Sequence, residues 1–150
     1  WAAQAQATAT PLRYVRINAA GTAHHQDDLD LLRGLPGIGV VLPKAESADA
    51  VTAAALAAPT RPPLVAIIES VAGFDALDAI ARAPGVGRLA FGTLDYAVDI
   101  GASHDIEGLL TPMTLLAHAS RRAGLAQPVA GVTAALDDPA RLAEDVRIAR

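Results

Sequence analysis

Five short runs rich in apolar residues recur along the chain, each followed by a stretch of helical character, and this alternation constrains the fold more than any other feature. The runs lie at residues 12–18 (LRYVRIN), 38–42 (IGVVL), 64–68 (LVAII), 88–91 (RLAF) and 129–132 (VAGV). Their apolar residues are consecutive rather than alternate, so a strand built from one needs cover on both faces. Helices are expected over residues 27–34, 45–58, 74–83, 111–123 and 139–148. Ser47 and Asp137 or Asp138 are placed to cap the second and last of these, while Pro59, Pro84-Gly85 and Gly124 mark stops. Short strands alternating with helices predict a parallel sheet covered by helices. Residues 1–11 are rich in Ala, Gln and Thr without periodicity, and read as a tail or the end of a missing helix. Residues 12–150 carry the domain.

A chain of 150 residues has room for one ordinary domain. Two architectures accommodate five βα units in that length. One is a five-stranded doubly wound sheet of flavodoxin-like type. The other is part of a (β/α)₈ barrel, whose complete form needs about 250 residues. Length favours the first, and the residues at the strand ends must decide. Hydrophobic residues make up 52% of the chain but aromatics only 3%, so the core must be built from Ala, Val, Leu and Ile. A net charge of −4 argues against nucleic acid or an anionic membrane as the main partner. Cysteine is absent, which excludes disulfides and thiolate metal sites. No apolar run approaches the roughly 20 residues of a membrane span, and the N-terminus lacks the pattern of a signal peptide. These bounds lead us to expect a soluble, cytoplasmic protein. The first residue is Trp rather than Met, as expected for an excised or partial chain.

In parallel α/β folds, ligands bind beyond the carboxyl ends of the strands. In order, those ends carry Arg16 and Asn18, then Lys44 and Glu46, then Glu69, then Asp95. Glu69 and Asp95 form a carboxylate pair flanked by the small residues Ser70, Gly92 and Thr93. Two carboxylates on a rigid rim make a half-filled oxygen shell for a hard cation; Mg²⁺ takes one or two, with water and substrate completing its octahedron. The alternative is that each is a helix N-terminal acid stabilised by the dipole. Arg16 presents a planar fork suited to a carboxylate or carbonyl, or else pairs with Glu46 or Glu69. Lys44, the only lysine, would have to be the nucleophile of any Schiff-base chemistry, but next to Pro43 and two residues before Glu46 it reads as a salt-bridge partner. His24, His25, His104 and His118 lack metal-ligand spacing; the first two read as solvated, and His118 as a core or interface residue. The GVGRLA segment at 85–90 precedes a strand rather than following one, so it is not a dinucleotide fingerprint.

Four segments carry a family resemblance: VRIN at 15–18, GVVLPKAES at 39–47, AIIESVAGFDALDAIA at 66–81 and LAFGTLDYAVDIG at 89–101. In order and spacing they resemble the HpcH/HpaI aldolase and citrate lyase β-subunit family, from about Arg13 to the C-terminus. VRIN and PKAES favour its citrate lyase β-subunit-like and malyl-CoA lyase-like branch. The resemblance implies a (β/α)₈ barrel of the TIM type, here a partial barrel of about five βα units. It also implies a bound Mg²⁺ and cleavage of a carbon–carbon bond beside a carbonyl. Glu69 and Asp95 match the metal-binding carboxylates, with Glu69 also facing substrate. Arg16 matches the catalytic and substrate-binding arginine, and Glu46 and Lys44 match supporting positions in the PKAES segment. The implied substrate is an acyl-CoA or acyl-carrier thioester, and the implied assembly a homo-oligomer, trimer or hexamer.

The sequence also departs from the family pattern. The family's first two strands, its last strand and its C-terminal lid have no counterpart here. Leu94 stands where many relatives place a second acid, and Ala130 where an aspartate often follows the strand. The expected activity is therefore that of part of a Mg²⁺-dependent lyase cleaving a 3-hydroxy acyl thioester of citryl or malyl type. Alternatives are an aldolase for hydroxylated oxo-diacids using the same metal site, and a non-catalytic flavodoxin-like or truncated-barrel domain. Strand order separates the last pair: 2-1-3-4-5 for a flavodoxin-like sheet, chain order for a barrel.

Overall fold

A computed structural model of the protein describes residues 12–58 and 63–149. The expected tail at 1–11 lies outside the described residues. Four strands, β1 (Arg13–Arg16), β2 (Ile38–Leu42), β3 (Leu64–Ile68) and β4 (Val86–Phe91), form one sheet in the order β1-β2-β3-β4. Every pairing is parallel, with Val15 opposite Val40 and Ile67 opposite Ala90. Consecutive parallel neighbours in chain order form an arc of a (β/α)₈ barrel, and the flavodoxin-like alternative is corrected by this order.

The fifth expected strand, at 129–132, shrinks to one residue. Val129 bridges Ala90, donating to Leu89 O at 2.9 Å and accepting from Phe91 N–H at 3.0 Å. Val132 is exposed, and Gly131 turns its backbone onto Thr93 so closely that a Cβ there would lie 2.2 Å from Thr93 Cγ2. A segment committed to that contact cannot continue the ladder.

The helices are α1 (His25–Leu32), α2 (Ala48–Ala57), α3 (Val71–Asp75), α4 (Leu77–Ala81), α5 (Thr93–Ile100), α6 (Ile106–Arg122) and α7 (Pro139–Ile148). Ser47, Ser70, Asp105 and Asp138 each accept a backbone N–H three residues on, capping α2, α3, α6 and α7. The single helix expected at 74–83 begins earlier, at the Ser70 cap, and the backbone opens at Ala76 to give two short helices. α6 begins at its Asp105 cap, ahead of the expected start at Thr111, and carries Pro112 inside it. α5 has no counterpart among the expected helices; its N-cap is Gly92, which offers no capping side chain to read.

The core lies between the helices and one face of the sheet. Leu42, Ile68 and Leu89 point there, packed with Val51, Ile80 and Leu116, all at most 1% exposed. Phe74, Phe91 and Tyr96 form an aromatic triangle with centroids 4.7–5.7 Å apart, fastening α3 and α5 to β4. Tyr14, Val41, Val65 and Ile67 occupy the opposite, concave face and are only partly covered, so the two-sided burial read from the sequence is achieved on one face alone. His118 is exposed on α6, which corrects its reading as a core residue, and His25 is half-buried rather than solvated, bonded to the Asn18 carbonyl at 2.8 Å. No helix is long and apolar enough to cross a membrane among the described residues.

Ser120 on α6 is 1% exposed and its hydroxyl has no hydrogen-bond partner. Leaving such a group unsatisfied in the core is unfavourable, so Ser120→Ala is expected to stabilise the fold by about 1 kcal/mol. Urea unfolding at neutral pH measures it, and a destabilised variant contradicts it.

Candidate functional site

Parallel pairing sends every strand's carboxyl end to one rim, and each site residue arrives there by a different route. Arg16 is the last residue of β1. Glu69 follows β3 directly, in the turn that Ser70 closes by capping α3. Asp95 sits in the first turn of α5, reached from β4 through Gly92. Arg16, Glu69 and Asp95 all line one cavity of about 820 Å³ on the concave face, with Val41, Val65 and Ile67 as its apolar wall.

Glu69 is the buried member, 6% exposed, and its Oε1 accepts the Lys44 N–H at 2.8 Å. Burial raises its pKa, and the nearby Asp95 charge raises it further. The Lys44 N–H and the charges of Arg16 and Lys44 oppose this without cancelling it. Arg16 forms no ion pair with Glu69 or Glu46 among the described residues, and acts on Glu69 through its charge. Its exposed guanidinium is open to a ligand.

Lys44 and Glu46 do not line the cavity, and each reaches it indirectly. Lys44 is the one non-glycine residue with positive φ among the described residues, at 46°. The left-handed turn presents its backbone N–H to Glu69, while its side chain is exposed. The expected salt bridge to Glu46 is not among the ion pairs of the described residues. Glu46 Oε1 instead accepts the Ser70 hydroxyl at 2.6 Å, and Ser70 Oγ in turn accepts the Gly73 N–H at 3.1 Å. Both residues thus hold the turn that carries Glu69.

The donor set is oxygen only. No group of three His, Cys, Asp or Glu side chains suited to a metal occurs among the described residues, which leaves the Glu69–Asp95 pair. A carboxylate pair whose charges repel, one of them desolvated, is relieved by a divalent cation. The hard cation that accepts so few protein ligands is Mg²⁺. The residues present fit it.

Sequence reasoning passed over Asp99, and it named Thr93 only as a small neighbour of the carboxylates and His104 only as a histidine without metal-ligand spacing. Asp99, one turn after Asp95, accepts the Val71 N–H at 2.7 Å and ties α5 to α3; the i, i+4 spacing of DYAVD is its only trace in sequence. Thr93 lines the cavity and is 5% exposed, with Oγ1 2.8 Å from His104 Nε2. Nothing in the sequence pairs residues 93 and 104.

Residues 2–149 match the family model for HpcH/HpaI aldolase/citrate lyase. Among solved structures, the chain is similar to RipC from Yersinia pestis, at 27% identity and a TM-score of 0.72, covering 91% of this chain and 76% of that one. It is also similar to CitE from Mycobacterium tuberculosis in complex with magnesium, acetoacetate and coenzyme A, at 29% identity and a TM-score of 0.76. That match covers 89% of this chain and 51% of CitE. A citrate lyase beta subunit from the same organism, complexed with oxaloacetate and magnesium, matches at 28% identity and a TM-score of 0.73, covering 89% and 60%. The chain therefore spans between half and two thirds of these two Mycobacterium chains. No curated protein matches the sequence.

Proposed function

Because the chain belongs to the HpcH/HpaI aldolase/citrate lyase family, we propose that residues 12–150 form the metal- and substrate-binding rim of a Mg²⁺-dependent carbon–carbon lyase. Its substrate is a 3-hydroxy acyl thioester of citryl or malyl type, carried on CoA or an acyl carrier. The observation that carries this reading is the meeting of Arg16, Glu69 and Asp95 in one cavity at the strand ends. The coenzyme A named among the ligands of CitE supports a thioester carrier, and the oxaloacetate named for the citrate lyase beta subunit supports an oxo-acid product.

In the proposed reaction, the bond between C2 and C3 of the acyl group breaks. The C3 hydroxyl loses its proton and becomes the carbonyl of an oxo-acid, while the electron pair stays on C2 as a thioester enolate that is then protonated. Glu69 and Asp95 would hold the cation. When bound, Mg²⁺ supplies fixed positive charge where negative charge grows on oxygen. Arg16 binds the carboxylate of the departing oxo-acid through its planar fork and sets the orientation of the bond that breaks. The wall of Val41, Val65 and Ile67 packs against the acyl carbons and keeps water from that side. The Lys44 N–H holds Glu69 in place throughout. No step requires a lysine nucleophile.

The test compares citryl-CoA, malyl-CoA and free hydroxylated oxo-diacids as substrates, each with Mg²⁺ and with a chelator. Release of oxo-acid from a thioester, lost on chelation, is the expected result. Cleavage of the free diacids alone favours the aldolase, and Mg²⁺ binding without cleavage of either favours a non-catalytic domain.

A further inference from the structure

We infer that His104 is a positioning residue for Asp95, acting through Thr93; the inference rests on the proposal that Asp95 holds a metal. No side chain among the described residues is hydrogen-bonded to the Asp95 carboxylate, so its place is set by the backbone that carries it. That backbone is the first turn of α5, whose N-cap Gly92 supplies no side-chain bond. A helix start without a cap leaves its first N–H groups unheld and is prone to fray. Tyr96 packs one side of this turn against Phe74 and Phe91, and the Gly92 N–H bonds Ile68 O; Thr93, the first residue of the helix, adds a polar hold. Its hydroxyl shares a hydrogen bond with His104 Nε2 at 2.8 Å on one side. On the other, the Gly131 backbone packs so tightly that a Cβ there would stand 2.5 Å from the same Oγ1.

His104 is itself fixed. It immediately precedes Asp105, whose Oδ1 accepts the Gly108 N–H at 3.0 Å and caps the 17-residue α6. The loop before that cap is close-packed, since a Cβ at Gly108 would lie 2.5 Å from Ser103 O. The seventeen-residue helix thereby anchors an imidazole that pins a buried threonine, two residues before a carboxylate that must meet Glu69 across the cavity. Thr93 lines the main cavity with Asp95 and also a small second cavity with His104, and with Ala130 and Val132 it forms the wall the two share. Removing the bond leaves Asp95 in place on average but free to wander, which weakens a site needing two carboxylates at one distance.

The experiment measures Mg²⁺ affinity by calorimetry at one fixed pH on the full chain, with thermal melting alongside. The variants are His104→Ala, His104→Gln, Thr93→Val, the His104→Ala/Thr93→Val double and Asp95→Asn. His104→Ala and Thr93→Val are each expected to weaken Mg²⁺ binding about tenfold, the range for outer partners of metal ligands. The double variant should be no weaker than the weaker single, because either change removes the same bond. His104→Gln, whose amide can re-form it, should recover most of the loss. Unchanged affinity in His104→Ala, with or without a lower melting midpoint, overturns the inference, as do additive losses. In that case Asp95→Asn still abolishes binding and the metal site stands. If the wild type binds no Mg²⁺, or Asp95→Asn binds as well as wild type, the metal reading falls and takes this inference with it.

Discussion

Glu69→Gln is expected to lower Mg²⁺ affinity by more than about 100-fold, above the range seen when only outer partners of a metal are removed, while making the metal-free chain more stable at neutral pH. The two effects have one origin. Burial, reinforced by the Asp95 charge, raises the pKa of Glu69, so the folded chain keeps its proton at pH values where the unfolded chain has lost it. Stability of the metal-free protein therefore falls as pH rises from the unfolded pKa through the raised folded one, and the full penalty remains above it. Gln carries no proton to lose and can still accept the Lys44 N–H, so the variant avoids the penalty. Variant and wild type should converge in acid, where Glu69 is protonated in both states. In the folded wild type, cation and proton compete for the carboxylate, so Mg²⁺ binding strengthens as pH rises toward the raised folded pKa of Glu69 and levels off above it. Asp95→Asn should match Glu69→Gln in lost affinity. It should also ease the pKa elevation of Glu69, since one of its causes is removed. Calorimetric titration and urea unfolding across pH measure both halves. Retained Mg²⁺ binding in both variants removes the site.

Gly92→Ala is expected to destabilise the fold by about 1–3 kcal/mol, the cost of overpacking a tight contact, and to weaken Mg²⁺ binding by about tenfold or more through displacement of Glu69. Gly92 has an ordinary φ of −88°, so backbone freedom is not what requires glycine there. The requirement is space. A Cβ at residue 92 would stand 2.2 Å from Glu69 Oε2 and 2.4 Å from Glu69 Cβ. The first clash could be relieved by turning the carboxylate away; the second involves the root of the side chain, so the turn itself must shift. That turn is held to β3 by the Gly92 N–H bonded to Ile68 O at 2.9 Å, and the shift strains this bond as well. Denaturant unfolding and metal titration on the same variant read the two effects. Wild-type values in both would show that the turn gives way freely.

Much of this site could be read before any coordinates, because parallel βα units send strand ends to one place. Once the runs ending near Arg16, Glu69 and Asp95 are taken as parallel strands, their meeting follows from topology and needs no distance. The strand centres were equally legible: 38–42 and 64–68 are strands over those same residues. Legibility failed where local signals were weak or a distant contact prevailed. α5 lacks a capping side chain, so nothing announced it. Residues 129–132 carry a strand-like composition, but Gly131 is recruited to Thr93 and only Val129 pairs. Lys44 and Glu46 read as an ion pair from their spacing, yet a left-handed turn directs the Lys44 amide to Glu69 and Glu46 to Ser70.

By itself, the sequence determined the class of fold, the rim on which chemistry gathers and the three charged side chains placed there. Periodicity and strand-end chemistry are local properties, written in consecutive residues. Only the tertiary structure decided that the strands follow chain order, that Glu69 is buried beside Asp95, and that Thr93 is gripped between His104 and Gly131. Those outcomes depend on contacts between residues 11 to 38 positions apart, and no local pattern encodes which of the many possible partners a folded chain brings together.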